Sequence, residues 1–172
     1  LAMGLEAEIL PSQGNPVVLG GWNRKPGAPT VLLYGHYDVQ PPEPLESWIS
    51  PPFEPTLCDG RIYARGIGDN KGQHYAQILA IESHLKVHGE LACNILFMLD
   101  GEEEIGSPSL PEFVRVHKDR LKADLVVIGN RGVNHRFSTG LLGGVTESVT
   151  RQCPRPVLVT PIAFKEIEAP LL

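Results

Sequence analysis

Cysteine is scarce in this sequence. Three residues, Cys58, Cys93 and Cys153, occur among 172, and none lies in a CxxC pair. An odd count without paired spacing argues against a disulfide framework, so a reducing, cytoplasmic setting is expected. Positive charge is in deficit as well: 15 Lys and Arg stand against 20 Asp and Glu, a formal net charge of -5. Domains that grip nucleic-acid phosphates carry basic clusters, and that class is set aside. No apolar run approaches the length of a bilayer span, so no membrane partner is expected. Internal repeats, linkers and low-complexity stretches are missing too.

What is present fits a globular domain of ordinary size. Apolar residues make up 42% and charged residues 20%, within the usual range. Glycine (18) and proline (16) are plentiful and predict many tight turns. The opening Leu1-Ala2-Met3-Gly4-Leu5 reads as the inside of a longer chain.

Strand and helix signals alternate along the chain. Thr30-Val31-Leu32-Leu33-Tyr34 is a short β-branched and apolar run stopped by Gly35. Lys71 to Lys86 reads as a helix with Tyr75, Ile78, Leu79 and Leu85 on one face. Asn94 to Leu99 and Leu125 to Ile128 read as buried strands. Ser109 with Glu112 three residues on predicts a capping box for a helix running to about Lys122. Leu141 to Arg151 is expected to be helical, and Pro156 to Thr160 a strand. Buried strands alternating with amphipathic helices predict an α/β layered sandwich, with a mixed, mostly parallel sheet flanked by helices.

The polar residues fall at telling places on that map. His36 and Asp38 follow one buried strand. Glu102, Glu103 and Glu104 follow another. Asp69 lies in a glycine-bounded loop just before a helix. Open α/β sheets bind ligands outside the carboxyl ends of their strands, so one histidine and several carboxylates converge on one edge. Catalytic zinc takes imidazole nitrogen and carboxylate oxygen and keeps a position open. In two-metal hydrolases the ions sit roughly 3.5–4 Å apart, and one carboxylate such as Asp69 can bridge them. A ligating imidazole gives its other N–H to a carboxylate. The spacing His36-Tyr37-Asp38 puts those two side chains on one side of an extended segment. Adjacent Glu103 and Glu104 can divide two tasks, one holding metal and one taking a proton from water.

These residues stand in longer motifs. Gly35-His36-Tyr37-Asp38-Val39-Gln40-Pro41 comes first, followed by Trp48 and Pro52-Phe53. Asp59 to Gly66 with Asp69-Asn70-Lys71-Gly72 comes next, then Gly101-Glu102-Glu103-Glu104-Ile105-Gly106-Ser107. Together, from about residue 3 to 128, they resemble the carnosinase and dipeptidase branch of the M20 zinc peptidases. The resemblance implies that His36 binds one zinc ion, Asp69 bridges two and Glu104 binds the other. It implies Glu103 as the general base and Asp38 as the residue that orients His36. Glu103 is preferred to Glu102 because the family pattern Glu-Glu-x-Gly ends here at Gly106. The implied activity is hydrolysis of the amide bond in a dipeptide or N-acyl amino acid, a small substrate.

The chain also departs from that family. A further metal-binding Asp is expected just past Leu125 to Ile128, where Gly129-Asn130 stands, and neutral Asn is a poorer ligand. His135 could replace a lost ligand. The family's distant C-terminal His and its lid domain have no counterpart, so residues 1–128 read as a truncated catalytic core.

The tail resembles something else. Asp124 to Gly132, then Leu141 to Val149, then Cys153 to Val159 look like the end of a universal stress protein domain, over about residues 123–168. That resemblance implies that Gly129, Gly132, Gly143 and Gly144 cradle the phosphates of ATP, since backbone N–H groups and a helix N-terminus favour anions. The pattern is imperfect. Ten residues rather than nine separate Gly132 from Gly143, and Gly144 replaces a Ser or Thr. The two resemblances meet on one strand, so a hybrid chain is expected, with residues 123–172 packed into the same α/β unit. The alternatives to a hydrolase are therefore a non-catalytic hybrid fold and an ATP- or AMP-binding module. An uncovered sheet edge or apolar patch would favour self-association.

Overall fold

The computed structural model describes residues 3–129 and 144–160. Asn130, Gly132, His135, Gly143 and the start of the expected 141–151 helix lie outside the described residues.

Eight strands and three α-helices are described. The chain opens with β1 (Glu6–Leu10) and β2 (Val17–Trp22), followed by β3 (Thr30–His36). A small hairpin, β4 (Thr56–Cys58) and β5 (Arg61–Tyr63), precedes helix α1 (Gly72–His88). Strand β6 (Asn94–Asp100), helix α2 (Leu110–His117) and β7 (Leu125–Gly129) come next. Helix α3 (Gly144–Gln152) and β8 (Val157–Thr160) complete the set.

Six strands form one sheet in the order β1-β2-β6-β3-β7-β8. The pairs β6–β3, β3–β7 and β7–β8 are parallel, and β1–β2 and β2–β6 are antiparallel. The fold is thus the expected mixed, mostly parallel α/β sheet. The expected strands are all present to within two residues. Strand β8 joins the same sheet through Val126↔Val157 to Gly129↔Thr160.

Side-chain alternation splits the core into two layers. On one face Trp22 and Phe97 pack with Leu5, Ile81 of α1 and Leu91. On the other, Leu19, Leu32 and Met98 pack with Val17 and Phe113 of α2. From β3 the chain passes through α1 to β6 on one side, and from β6 through α2 to β7 on the other. Crossovers that move in opposite directions put their helices on opposite faces. A crevice opens at the carboxyl ends of β3 and β6, where the order reverses.

Two local expectations need correction. Helix α1 does not bury Tyr75 and Leu79, which are 63% and 40% exposed. The buried stripe is His74, Ile78, Ile81 and Leu85, spaced at i, i+4, i+7 and i+11. The capping box is not made: Ser109 forms no side-chain cap, Glu112 bonds Arg115 instead, and α2 ends at His117. Phe53, which follows Trp48 in the motif, is 64% exposed. Trp48 does pack, donating to the Pro42 carbonyl at 2.7 Å and lying under the Arg65 guanidinium.

Candidate metal centre

The crevice between β3 and β6 receives its polar residues from three loops. His36 ends β3 opposite Asp100, the last residue of β6. Glu103 and Glu104 follow β6 in a single tight turn. Asp69 lies in the irregular turn Ile67–Lys71 ahead of α1, with an extended backbone (φ -155, ψ 94). The structure brings His36, Asp69 and Glu104 together, with one ligand atom from each within 4.8 Å of the others.

His36 is the hub. Its Nε2 lies 2.9 Å from Asp69 Oδ1 and 3.7 Å from Glu103 Oε2. Its Nδ1 lies 3.2 Å from Asp38 Oδ1 and 3.2 Å from the Asp38 carbonyl oxygen. The ring is buried. Burial opposes its protonation. The hydrogen bond to Asp69 and the charges of Glu103, Asp69 and Asp38 outweigh burial and lift the pKa to about 9. Glu103 is also raised, first by burial and then by the charges of Glu104, Asp69 and Asp38, with His36 opposing.

Asp38 ties two of the loops together. While one oxygen faces His36, Asp38 Oδ2 accepts the Glu104 backbone N–H at 2.9 Å. Gln40 completes the hold on Glu104. Its Nε2 donates to Glu104 Oε2 at 2.8 Å and to the Glu104 carbonyl at 3.2 Å.

The adjacent glutamates have distinct surroundings. Glu102 is buried and accepts the backbone N–H of Asn15 at 3.0 Å and of Ser109 at 3.1 Å. Hydrogen bonds from Asn15 and Ser109 hold its pKa low. It therefore stitches the β1–β2 turn to the start of α2. Glu103 is turned instead toward His36.

Two residues missed as site residues grip the His36 main chain. Asn70 Oδ1 accepts the His36 N–H at 3.3 Å, and His74 Nε2 donates to the His36 carbonyl at 3.2 Å. His74 lies in the first turn of α1. It is buried, and burial lowers its pKa. A signal did exist, because extending the Ile78, Ile81, Leu85 stripe one turn back lands on His74. Gly35 lets both side chains approach, since a Cβ there would lie 2.5 Å from Asn70 Oδ1 and closer still to the His74 ring. Gln40 gave no signal beyond its place in the motif.

In the tail, the Gly129 carbonyl accepts from Thr146 Oγ1 at 2.7 Å, and Gly144 begins α3. Gly132 and Gly143 lie outside the described residues, so half of the expected phosphate cradle has no described geometry.

The donor set suits a divalent cation. The carboxylates of Asp38, Asp69 and Glu104 act on Glu103, and those of Asp38, Asp69 and Glu103 act on the His36 imidazole, in a half-buried crevice. Like charges this close are unfavourable unless a cation compensates them. Imidazole nitrogen with carboxylate oxygen is also the donor mixture of catalytic zinc sites.

Comparison with known proteins finds relatives among the metallopeptidases. A rat β-Ala-His dipeptidase is 38% identical over 117 residues, covering 67% of this chain and 24% of that protein. A succinyl-diaminopimelate desuccinylase from Thiobacillus denitrificans is 45% identical over 96 residues, covering 55% and 24%. The crystal structure of an M20 family metallo-carboxypeptidase from Sulfolobus solfataricus superposes with a TM-score of 0.67 at 40% identity, over 75% of this chain and 30% of that one. The chain thus spans about a quarter of the length of the curated relatives it matches. The family model for peptidase family M20/M25/M40 matches residues 32–155, and it runs through most of the tail that was expected to be the end of a universal stress protein domain; no relative of that kind supports the expected hybrid. With most of its length matched, this chain belongs to peptidase family M20/M25/M40.

Proposed function

We propose that this chain carries the catalytic part of a metal-dependent hydrolase of the amide bond in dipeptides or N-acyl amino acids. The observation that carries this reading is the convergence of His36, Asp69 and Glu104 within 4.8 Å, with Glu103 beside them. The named activities of the relatives, a dipeptidase and a desuccinylase, support the substrate class.

His36, Asp69 and Glu104 would hold the metal, with Asp69 as the shared carboxylate if two ions bind. When bound, the metal supplies Lewis-acid polarisation of the scissile carbonyl, and zinc is the family's usual choice. Glu103 takes a proton from the attacking water. The water oxygen bonds to the carbonyl carbon, the C–N bond breaks, and Glu103 returns the proton to the leaving nitrogen. Burial and neighbouring carboxylates raise the proton affinity of Glu103, as suits a group that must accept a proton and release it. Asp38 holds the His36 ring through Nδ1, and Glu102 takes no part in the chemistry.

The test has two readings on metal-stripped chain. Zinc titration by calorimetry should show binding that Asp69→Ala removes. With zinc restored, Glu103→Gln should cut dipeptide hydrolysis by at least about 100-fold while leaving zinc affinity intact. Full activity in Glu103→Gln would remove that residue from the mechanism.

Residues 123–172 are proposed as a segment packed into the catalytic unit, supported by β8 pairing within the same sheet. Nucleotide binding by the tail has no support, and packing into the sheet is its proposed role. The cytoplasmic setting rests on three free cysteines. Self-association is proposed through the exposed apolar side chains Ile49, Phe53, Leu57 and Ile62. A chain that sediments as a monomer at every concentration in the ultracentrifuge refutes it.

A further inference from the structure

Glu104 is held at three points by two neighbours. Its backbone N–H goes to Asp38 Oδ2, and its carbonyl and its Oε2 both receive the Gln40 amide. Both Gln40 contacts are to oxygens that can only accept, so the NH2 end of the amide must face Glu104. Gln40 lies in the loop after β3 and Glu104 in the turn after β6, 64 residues apart. A flexible carboxylate side chain is thereby fixed from a different loop.

The residue type matters. A Lys or Arg at this position would neutralise Glu104 and compete with an incoming cation. An Asp or Glu would repel it. A neutral amide directs one oxygen and leaves the full negative charge in place.

We propose that Gln40 is a positioning residue for the metal centre, pinning Glu104 Oε2 so that the other oxygen is presented to the cation in one orientation. This rests on the reading of Glu104 as a ligand. Partners that hydrogen-bond a metal ligand typically change metal affinity by about 10- to 100-fold when removed. Gln40 is half-buried, and Gln40→Met keeps its length while removing the donor.

The experiment is a double-mutant cycle on the full metal-stripped chain, titrated with zinc. Gln40→Met should weaken binding about tenfold, and Glu104→Ala should weaken it more. Gln40→Met should have no further effect when Glu104→Ala is already present, because its effect passes through that carboxylate. With cobalt as the probe, Gln40→Met should alter the visible absorption bands, which report ligand geometry and which a distant loss of stability leaves alone. Wild-type zinc affinity in Gln40→Met overturns the proposal, as does a penalty that persists in the Glu104→Ala background. Wild-type zinc affinity in Glu104→Ala is a separate result: it removes Glu104 from the ligand set, and the role of Gln40 falls with it.

Discussion

Replacing Gly35 with Ala tests how tightly the His36 main chain is gripped. The new Cβ would lie 2.5 Å from Asn70 Oδ1 and deeper inside the His74 ring, whereas comfortable contacts between heavy atoms lie at about 3.5–4 Å. One of the groups must move. Both belong to packed elements, His74 to the buried face of α1 and Asn70 to the turn that carries Asp69. Overpacking of this kind costs about 1–3 kcal/mol. Displacing the ring also breaks the bond from His74 Nε2 to the His36 carbonyl, worth about 1 kcal/mol. A total near 3 kcal/mol corresponds to a fall in Tm of roughly 6–12 °C for a chain of this size. The measurement is urea denaturation of wild type, Gly35→Ala, His74→Ala and the double variant. With the ring removed, the methyl group still meets Asn70 Oδ1 at 2.5 Å. Gly35→Ala should then cost about 1 kcal/mol, a coupling of about 2 kcal/mol between the two positions. The reasoning is refuted if Gly35→Ala stays within about 0.5 kcal/mol of wild type, or if its cost is equal in both backgrounds.

Two further outcomes concern pH. The pKa of Glu102 is held below its ordinary 4.5 in the folded chain, so its contribution to stability is present above that pH and is lost as pH falls through the folded value. Glu102→Gln should therefore melt lower near neutrality yet lose less on acidification, and parallel curves for the two proteins would contradict this. For His36 the sign is reversed. With an ordinary pKa of 6.5 raised to about 9, it stabilises the metal-free fold fully below 6.5 and loses that contribution as pH rises through about 9. Zinc binding must displace that proton, so apparent zinc affinity should climb with pH up to about 9 and then level off. Affinity that is flat across that range would show that His36 binds without releasing a proton.

Much of this protein was legible in its sequence because the signals were local. Short apolar runs at Ile95–Leu99 and Leu125–Ile128 read as buried strands, and the residues that follow them were expected at the sheet edge. The spacing of His36 and Asp38 likewise fixed their relation without any tertiary information. Strands β1 and β2 were not legible. β1 is an exposed edge strand, and β2 contains Gly20-Gly21, which reads as a turn. Those glycines make sense only beside the strands that pair with β2. Nor did sequence separate three consecutive glutamates by physics. Glu102 turns toward Asn15 and Ser109, Glu103 toward His36, and Glu104 toward Gln40. Periodicity reports which face of an element is apolar, but it carries no information about which loops meet. That depends on strand order. By placing β3 beside β6 and sending their helices to opposite faces, the tertiary fold decided that His36, Asp69 and Glu104 share one crevice, with Gln40, Asn70 and His74 gripping them.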